Sequence, residues 1–252
     1  MSEINITLDS LNLSTIAPMS IAIIGALSII LTDIFNKNKD KSLYVFLVVL
    51  FLVFDLFTLI AFNGEKRGVF DLMLLDGVSI LAQIIIILSA IIFIFLAMSK
   101  LRFQEHRMAE YFALYLFIIA SFQFMVSSDS LILIFIALES SSLALYVLIA
   151  MHNKMASLEA SIKYFTMGAI GGACFVFASM LLYAVTGTLE LDGIAIILTS
   201  EGFLNKENFS IYILVLSAFC FMLVSLGFKL SLFPFHVWVP DVYQGATSVM
   251  AG

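Results

Sequence analysis

The sequence predicts an all-α membrane protein, a polytopic bundle of about seven transmembrane helices with a broken helix near the C-terminus. Two observations carry most of this. Hydrophobic residues make up 62% of the chain and charged residues 12%, about half the charged share of a soluble domain. Seven stretches also reach the length, about 20 mostly apolar residues, that a spanning helix needs. Three prolines in 252 residues argue against a loop-rich chain. The composition excludes nucleic-acid binding.

Taken in order, residues 1–12 hold Glu3 and Asp9 and no Lys or Arg, so the positive region of a signal peptide is missing. The first apolar run, about 14–35, ends at Asn36-Lys-Asn-Lys-Asp-Lys41 and reads as a retained span. The next spans are expected near 42–62, 77–98, 110–127, 130–151, 160–185 and 209–232. Only Ser128-Asp129 separates the fourth from the fifth, a tight turn in which Asp129 suits an N-cap. Within 186–208, Ile194-Ala-Ile-Ile-Leu198 flanked by acids predicts a short interfacial helix or hairpin. After residue 232, Pro234 and Pro240 forbid an unbroken helix.

The basic residues give an orientation. One set of loops holds Lys37, Lys39, Lys41, Lys100, Arg102, Arg107 and Lys154, and the alternate set only Lys66, Arg67 and Lys206. The first set is expected in the cytoplasm and the N-terminus outside. The outward loops carry Glu65, Asp71, Asp76, Glu190, Asp192, Glu201 and Glu207.

Ionisable residues inside apolar spans persist where they meet a partner or a cavity, since a charge at the bilayer centre costs about 2.5–3.5 kcal/mol or more. Glu139 falls near the middle of its span and is followed by three serines. It is either a proton-relay carboxyl or a structural one bonded to a neighbouring helix. Lys163 lies near the end of the next span, as a snorkelling lysine or as a partner of Glu139. Gly168, Gly171 and Gly172 follow it and allow close helix contact. Lys229 stands between Gly227 and Pro234, where the helix is expected to break. Broken helices at membrane depth line cavities or are buried in protein, so Lys229 is a candidate proton carrier, with snorkelling as the alternative. His236 is a candidate shuttle or a structural residue. Asp55, within its own span, suits either function or structural pairing.

Redox chemistry in this chain finds no support. Cys174 and Cys220 lie inside apolar runs, read as small buried residues, and form neither a metal-site spacing nor a haem-attachment motif. A Gly-rich nucleotide fingerprint after a strand is also missing.

One stretch is more specific. Gly227-Phe-Lys-Leu-Ser-Leu-Phe-Pro-Phe-His-Val-Trp-Val-Pro-Asp-Val-Tyr-Gln-Gly-Ala246 resembles the subunit N family of bacterial respiratory complex I, the proton-pumping NADH:quinone oxidoreductase. It follows that family's pattern G-F-K-x-S-x-x-P-F-H-x-W-x-P-D-V-Y-x-G throughout, with P-D-V-Y where the sister subunits L and M carry P-D-A. The segment ending Ala137-Leu-Glu139 resembles the family's fifth-helix glutamate segment. Ser161-Ile-Lys-Tyr-Phe-Thr-Met-Gly-Ala169 resembles its sixth-helix lysine segment. The resemblance covers residue 100 onward.

It implies residues 1–109 as three N-terminal transmembrane helices and 110–252 as the first antiporter-like repeat, cut before completion. It implies a proton half-channel to which Glu139, Lys163 and Lys229 belong; the residue reading adds His236 to the relay, and Asp55 and Asp129 as further candidates. NADH, flavin, iron–sulfur clusters and quinone are expected in partner subunits, and no cofactor in this chain. The expected partners are other complex I membrane subunits and the lipid of a bacterial inner membrane. The sequence departs from the pattern after Gly245, where prolines usually follow. It ends at Gly252 before the eighth-helix lysine and the second inverted repeat, so it is expected to be a fragment, either the N-terminal half of a longer subunit or a truncated reading frame. A cation/proton antiporter subunit and a non-transporting membrane scaffold are the competing readings.

Overall fold

The computed structural model describes residues 12–35, 41–62, 64, 66–69, 71–100, 108–200 and 209–246. Glu3, Asp9, Lys37, Lys39, Glu65, Arg102, Arg107, Glu201, Lys206, Glu207 and the stretch after Ala246, all named above, lie outside them. Among the described residues, seven helices are long and apolar enough to cross a membrane, as the sequence predicts. The chain is a multi-pass membrane protein. It divides into two compact units, residues 1–128 and 129–251. That division falls one helix later than the boundary at residue 109.

In the first unit a short 3-10 turn, Leu13–Ile16, leads into α1 (Ala17–Phe35). Then come α2 (Lys41–Ala61), a hairpin of β1 (Lys66–Gly68) and β2 (Met73–Leu75), α3 (Gly77–Lys100) and α4 (Met108–Val126). The burial of α2 shows why these are helices in lipid. Tyr44, Val45, Val48, Leu52, Asp55 and Leu59 are buried, a stripe at helical spacing. The opposite face, Phe46, Leu50, Val53, Phe54, Phe57 and Ile60, is equally apolar but exposed. A helix apolar all round belongs in a membrane.

α1 and α4 pack closely because α1 presents Ala22, Gly25 and Ala26. A Cβ on Gly25 would lie 2.8 Å from the Phe51 ring and 3.1 Å from Leu116. Small residues let helices approach without a hydrophobic driving force. The hairpin is antiparallel, with Arg67 opposite Leu74. It is tied down by Asn12 Nδ2 donating to the Arg67 carbonyl (2.8 Å) and by the Leu74 N–H donating to the Ser127 carbonyl (2.8 Å). α3 opens on a capping exchange. The Ser79 N–H donates to Asp76 Oδ1 (2.7 Å) and the Asp76 N–H to Ser79 Oγ (2.9 Å). The Ser79 N–H holds the Asp76 carboxyl below its usual range.

The second unit holds α5 (Leu131–Ala150), α6 (Met155–Thr186), α7 (Leu191–Thr199), α8 (Phe209–Lys229) and α9 (Val239–Gly245). The 32-residue α6 is about 48 Å long and starts five residues before the expected 160. It is the axis against which α5, α7, α8 and α9 pack. α7 is the short helix expected within 186–208. Its Ile194 joins Leu131, Phe175, Leu182 and Ala218 in one buried cluster.

The entry to α5 differs from expectation. Its N-cap is Ser130, in extended backbone and without a side-chain cap, rather than Asp129. The residues there pair as backbone. Ser130 bridges Glu190, the Leu131 N–H donates to the Leu189 carbonyl and the Leu191 N–H to the Asp129 carbonyl, both at 2.9 Å. The pairing gives the first N–H of α5 a backbone partner in place of a side-chain cap. Both cysteines are free, and Cys220 is exposed rather than buried.

Candidate functional site

The site lies in the second unit and starts with glycines. Gly168, Gly171 and Gly172 form a face of α6 at i, i+3 and i+4 spacing. Each meets a different side chain. A Cβ on Gly168 would clash with the Tyr146 hydroxyl, and one on Gly171 would lie 3.0 Å from the Phe228 ring. One on Gly172 would lie 2.9 Å from Glu139 Oε1. The glycines give Glu139 its seat. Phe135 stacks on Phe175 at 5.9 Å, and Phe135 also borders Gly172.

Glu139 is the ninth residue of α5, about 12 Å into a helix about 30 Å long. α8 delivers its partner. That helix runs unbroken through Gly227 and ends at Lys229. The ending is a Schellman closure. The Leu232 N–H donates to the Gly227 carbonyl (2.8 Å) and the Ser231 N–H to the Phe228 carbonyl (3.1 Å), with Ser231 in the left-handed region at φ 57°. The break therefore follows Lys229. Gly227 serves a close approach instead, since a Cβ there would lie 2.7 Å from the Phe235 ring. A lysine in the last turn also meets the negative end of the helix dipole.

Lys229 Nζ lies 3.1 Å from Glu139 Oε1 and donates to Ser142 Oγ at 2.7 Å. The Lys229 side chain is 11% exposed and that of Glu139 24%, and Ser142 is buried. Ser142 donates in turn to the Leu138 carbonyl at 2.7 Å. A carboxyl, an amine and a hydroxyl in one chain can hold a proton and pass it among themselves.

The other expected residues lie elsewhere. Lys163 does not meet Glu139. It pairs with Asp241 (2.7 Å) and Glu159 (2.8 Å), with its side chain 45% exposed. The reason is helical phase. Lys163 precedes Gly172 by nine residues, about two and a half turns, which puts it on the opposite face from Glu139's seat. His236 is exposed on the turn between α8 and α9, its ring 5.7 Å from Phe233. Asp129 is buried at the entry to α5. Asp55, in the first unit, is fully buried and accepts a hydrogen bond from Gln123 Nε2 at 2.7 Å.

Three groups here were missed by the sequence reading: Asp241, Gln123 and Ser142 as a direct ligand of Lys229. Gln123 carried a signal, a primary amide inside an apolar span. α9 docks on α6 through Ser157 Oγ, which donates to the Gly245 carbonyl (2.6 Å), and through Trp238 stacked on Tyr164 at 4.4 Å. This docking brings Asp241 to Lys163.

The family described as NADH:quinone oxidoreductase/Mrp antiporter, transmembrane, matches residues 128–251, which coincides with the second compact unit. The chain is 49% identical to the NADH-quinone oxidoreductase subunit N of Sulfurovum sp. (strain NBC37-1), covering 100% of this chain and 50% of that one. Over residues 128–251 the chain is similar to the NADH:quinone oxidoreductase/Mrp antiporter family. It is also 50% identical to the subunit N of Sulfurimonas denitrificans, over 100% of this chain and 50% of that one. Among solved structures it resembles respiratory complex I from Thermus thermophilus with a TM-score of 0.73 and 29% identity, over 92% of this chain and 48% of that one. The chain thus spans about half the length of the relatives it matches. The antiporter-like fold is that of this family.

Proposed function

We propose that this chain forms part of a proton-conducting membrane subunit of a respiratory NADH:quinone oxidoreductase, with Glu139 and Lys229 at the centre of a relay coupled to quinone reduction in other subunits. The contact that carries the reading is Lys229 Nζ to Glu139 Oε1 at 3.1 Å, at a helix break and with both side chains largely buried. A proton arriving at the Glu139 carboxylate neutralises it and loosens its hold on the ammonium. Lys229, less tightly held, can then release its own proton to water at the helix break beside it, while Ser142 keeps the amine in place. Lys163 and His236 are further members of the relay by residue type, nearer the exposed parts of the unit. NADH, flavin, iron–sulfur clusters and quinone belong to partner subunits, and the neighbours in the bilayer are other membrane subunits of that complex.

The proposed location is a bacterial inner membrane with the N-terminus outward. The excess of Lys and Arg in one set of loops supports this. A cysteine at Lys154 should resist an impermeant thiol reagent in intact cells, and one at Ser200 should react. The reverse pattern would invert the topology.

To test the relay, Glu139→Gln is introduced and quinone-dependent proton uptake measured in vesicles carrying the assembled complex. Gln keeps size and hydrogen bonding but cannot bind the proton. Uptake should fall several-fold with assembly intact. Unchanged uptake at unchanged quinone reductase activity would leave a scaffold instead. A second reading, a subunit of a cation/proton antiporter, draws on the family's inclusion of Mrp antiporters. It predicts cation-driven proton movement in the absence of quinone.

A further inference from the structure

The first unit holds a buried polar chain that the Glu139–Lys229 pair does not use. Asp55 on α2, Gln83 on α3 and Gln123 on α4 are each 0% exposed, and Ser127 just past α4 is 1% exposed. Gln123 Nε2 donates to Asp55 Oδ2 at 2.7 Å. Gln83 Nε2 donates to Ser127 Oγ at 2.6 Å. The Ser127 hydroxyl donates to the Gln123 carbonyl at 3.0 Å. Four side chains from three helices and a helix end thus form two linked pairs inside an otherwise apolar bundle.

The cluster atoms left without any partner are all oxygens. Three buried oxygens, Asp55 Oδ1, Gln83 Oε1 and Gln123 Oε1, have no hydrogen-bond partner. All three are acceptors. An ionised carboxyl can only accept, so it adds to the deficit. A protonated carboxyl supplies an O–H donor to the cluster. Charge leads to the same form. Among the described residues no ion pair reaches Asp55, and a buried carboxylate without a cation is strongly disfavoured.

The titratable groups of the helices that carry the cluster stand along their axes from it, and Asp76, seven residues before Gln83, accepts the Ser79 N–H instead. Asp33 of α1 accepts a hydrogen bond from Tyr44, eleven residues, or about 16 Å, along α2 from Asp55. Tyr115, Tyr111 and Glu110 of α4 lie eight or more residues from Gln123, about 12 Å or farther. Lys100 closes the far end of α3.

We propose that Asp55, Gln123, Ser127 and Gln83 form a second proton-binding site, in which the Asp55 carboxyl binds and releases the proton. The site shares no residue with the Glu139–Lys229 pair. Asp55 lies six residues, about 9 Å, before the end of α2. From it the chain runs to Ser127, whose carbonyl accepts the Leu74 N–H of the hairpin at 2.8 Å. The polar chain therefore starts within the span and reaches the end of α4 beside the hairpin.

The test is infrared difference spectroscopy of the full chain in lipid vesicles at neutral pH, comparing wild type with Asp55→Asn. The expected result is a carboxylic-acid C=O band in the wild type, shifted down in D2O and lost in Asp55→Asn. Glu139→Gln should leave that band in place, which separates this site from the proposed relay. Gln123→Leu should keep the band but move it to higher frequency, because the carbonyl loses a hydrogen bond. An Asp55→Asn difference spectrum showing only carboxylate bands would overturn the proposal. So would an acid band that disappears on adding sodium chloride at constant pH, since the site would then hold a metal cation.

Discussion

In the first unit Asp55 is fully buried and meets an amide. In the second, Glu139 keeps 24% of its side chain exposed and meets an ammonium. Both carboxyls stand in helices that are mostly apolar. The difference follows from what each neighbour can supply. Amides and a hydroxyl offer a carboxyl hydrogen bonds without charge, so burial there can be complete. A lysine offers charge, and a charged pair is tolerated only with close geometry and further hydrogen bonds, which Ser142 provides. The seats differ as well. Asp55 sits within a helix stripe, whereas Glu139 needs a glycine opposite it, Gly172.

The contrast can be broken most directly by double-mutant cycles on stability. Glu139→Gln combined with Lys229→Met should show a coupling of about 2–3 kcal/mol, at the upper end for contacting residues. Asp55→Asn combined with Gln123→Leu should show about 1 kcal/mol, the net worth of a neutral hydrogen bond. Equal couplings would remove the distinction between a charged and a neutral site.

Packing gives a smaller effect. Gly168→Ala should destabilise the second unit by about 1–3 kcal/mol, because the new methyl meets the Tyr146 hydroxyl. In the first unit Gly77→Ala, with nothing within 4 Å of the added Cβ, should be neutral or slightly stabilising. Thermal unfolding in mixed micelles would rank the two. A Gly168→Ala variant as stable as wild type would mean the helices part freely there.

The smallest effect is at the α3 cap. Asp76→Ala should cost about 1 kcal/mol. The Asp76 carboxyl is held below its usual range by the Ser79 N–H. The cap therefore contributes fully above the unfolded carboxyl range, about pH 4, and fades as pH falls through the lower folded value. The difference between Asp76→Ala and wild type should shrink on acidification. A constant difference across that window would show that the charge plays no part.

The spans were legible because lipid demands length and apolarity, and both are local properties of the chain. The start of α6 at Met155 was not, since Ser157 and Glu159 make its first turns polar although they are helical. Glu139 and Lys229 stood out as charges in the wrong solvent. Their pairing depends on the contact of α5 and α8 with α6, which spacing along the chain does not encode. The expected meeting of Lys163 with Glu139 failed on phase alone, and the half-turn offset from Gly172 could have been counted beforehand. The pairing of Lys163 with Asp241 needed the turn after Lys229 to fold back on α6, a tertiary event. The N-cap fell on Ser130 rather than Asp129, and the strand-like pairing of residues 129–131 with 189–191 is a tertiary contact that a turn between two spans does not reveal.

The central claim is that Lys229 carries a proton rather than only a charge. Quinone-dependent proton uptake in vesicles carrying the assembled complex tests it with two variants. Lys229→Ala removes the group, and Lys229→Arg keeps the charge on a guanidinium that does not deprotonate near neutral pH. The account predicts that both lose most of the coupled uptake. Arg matching wild type while Ala fails would make Lys229 a fixed charge and contradict the relay.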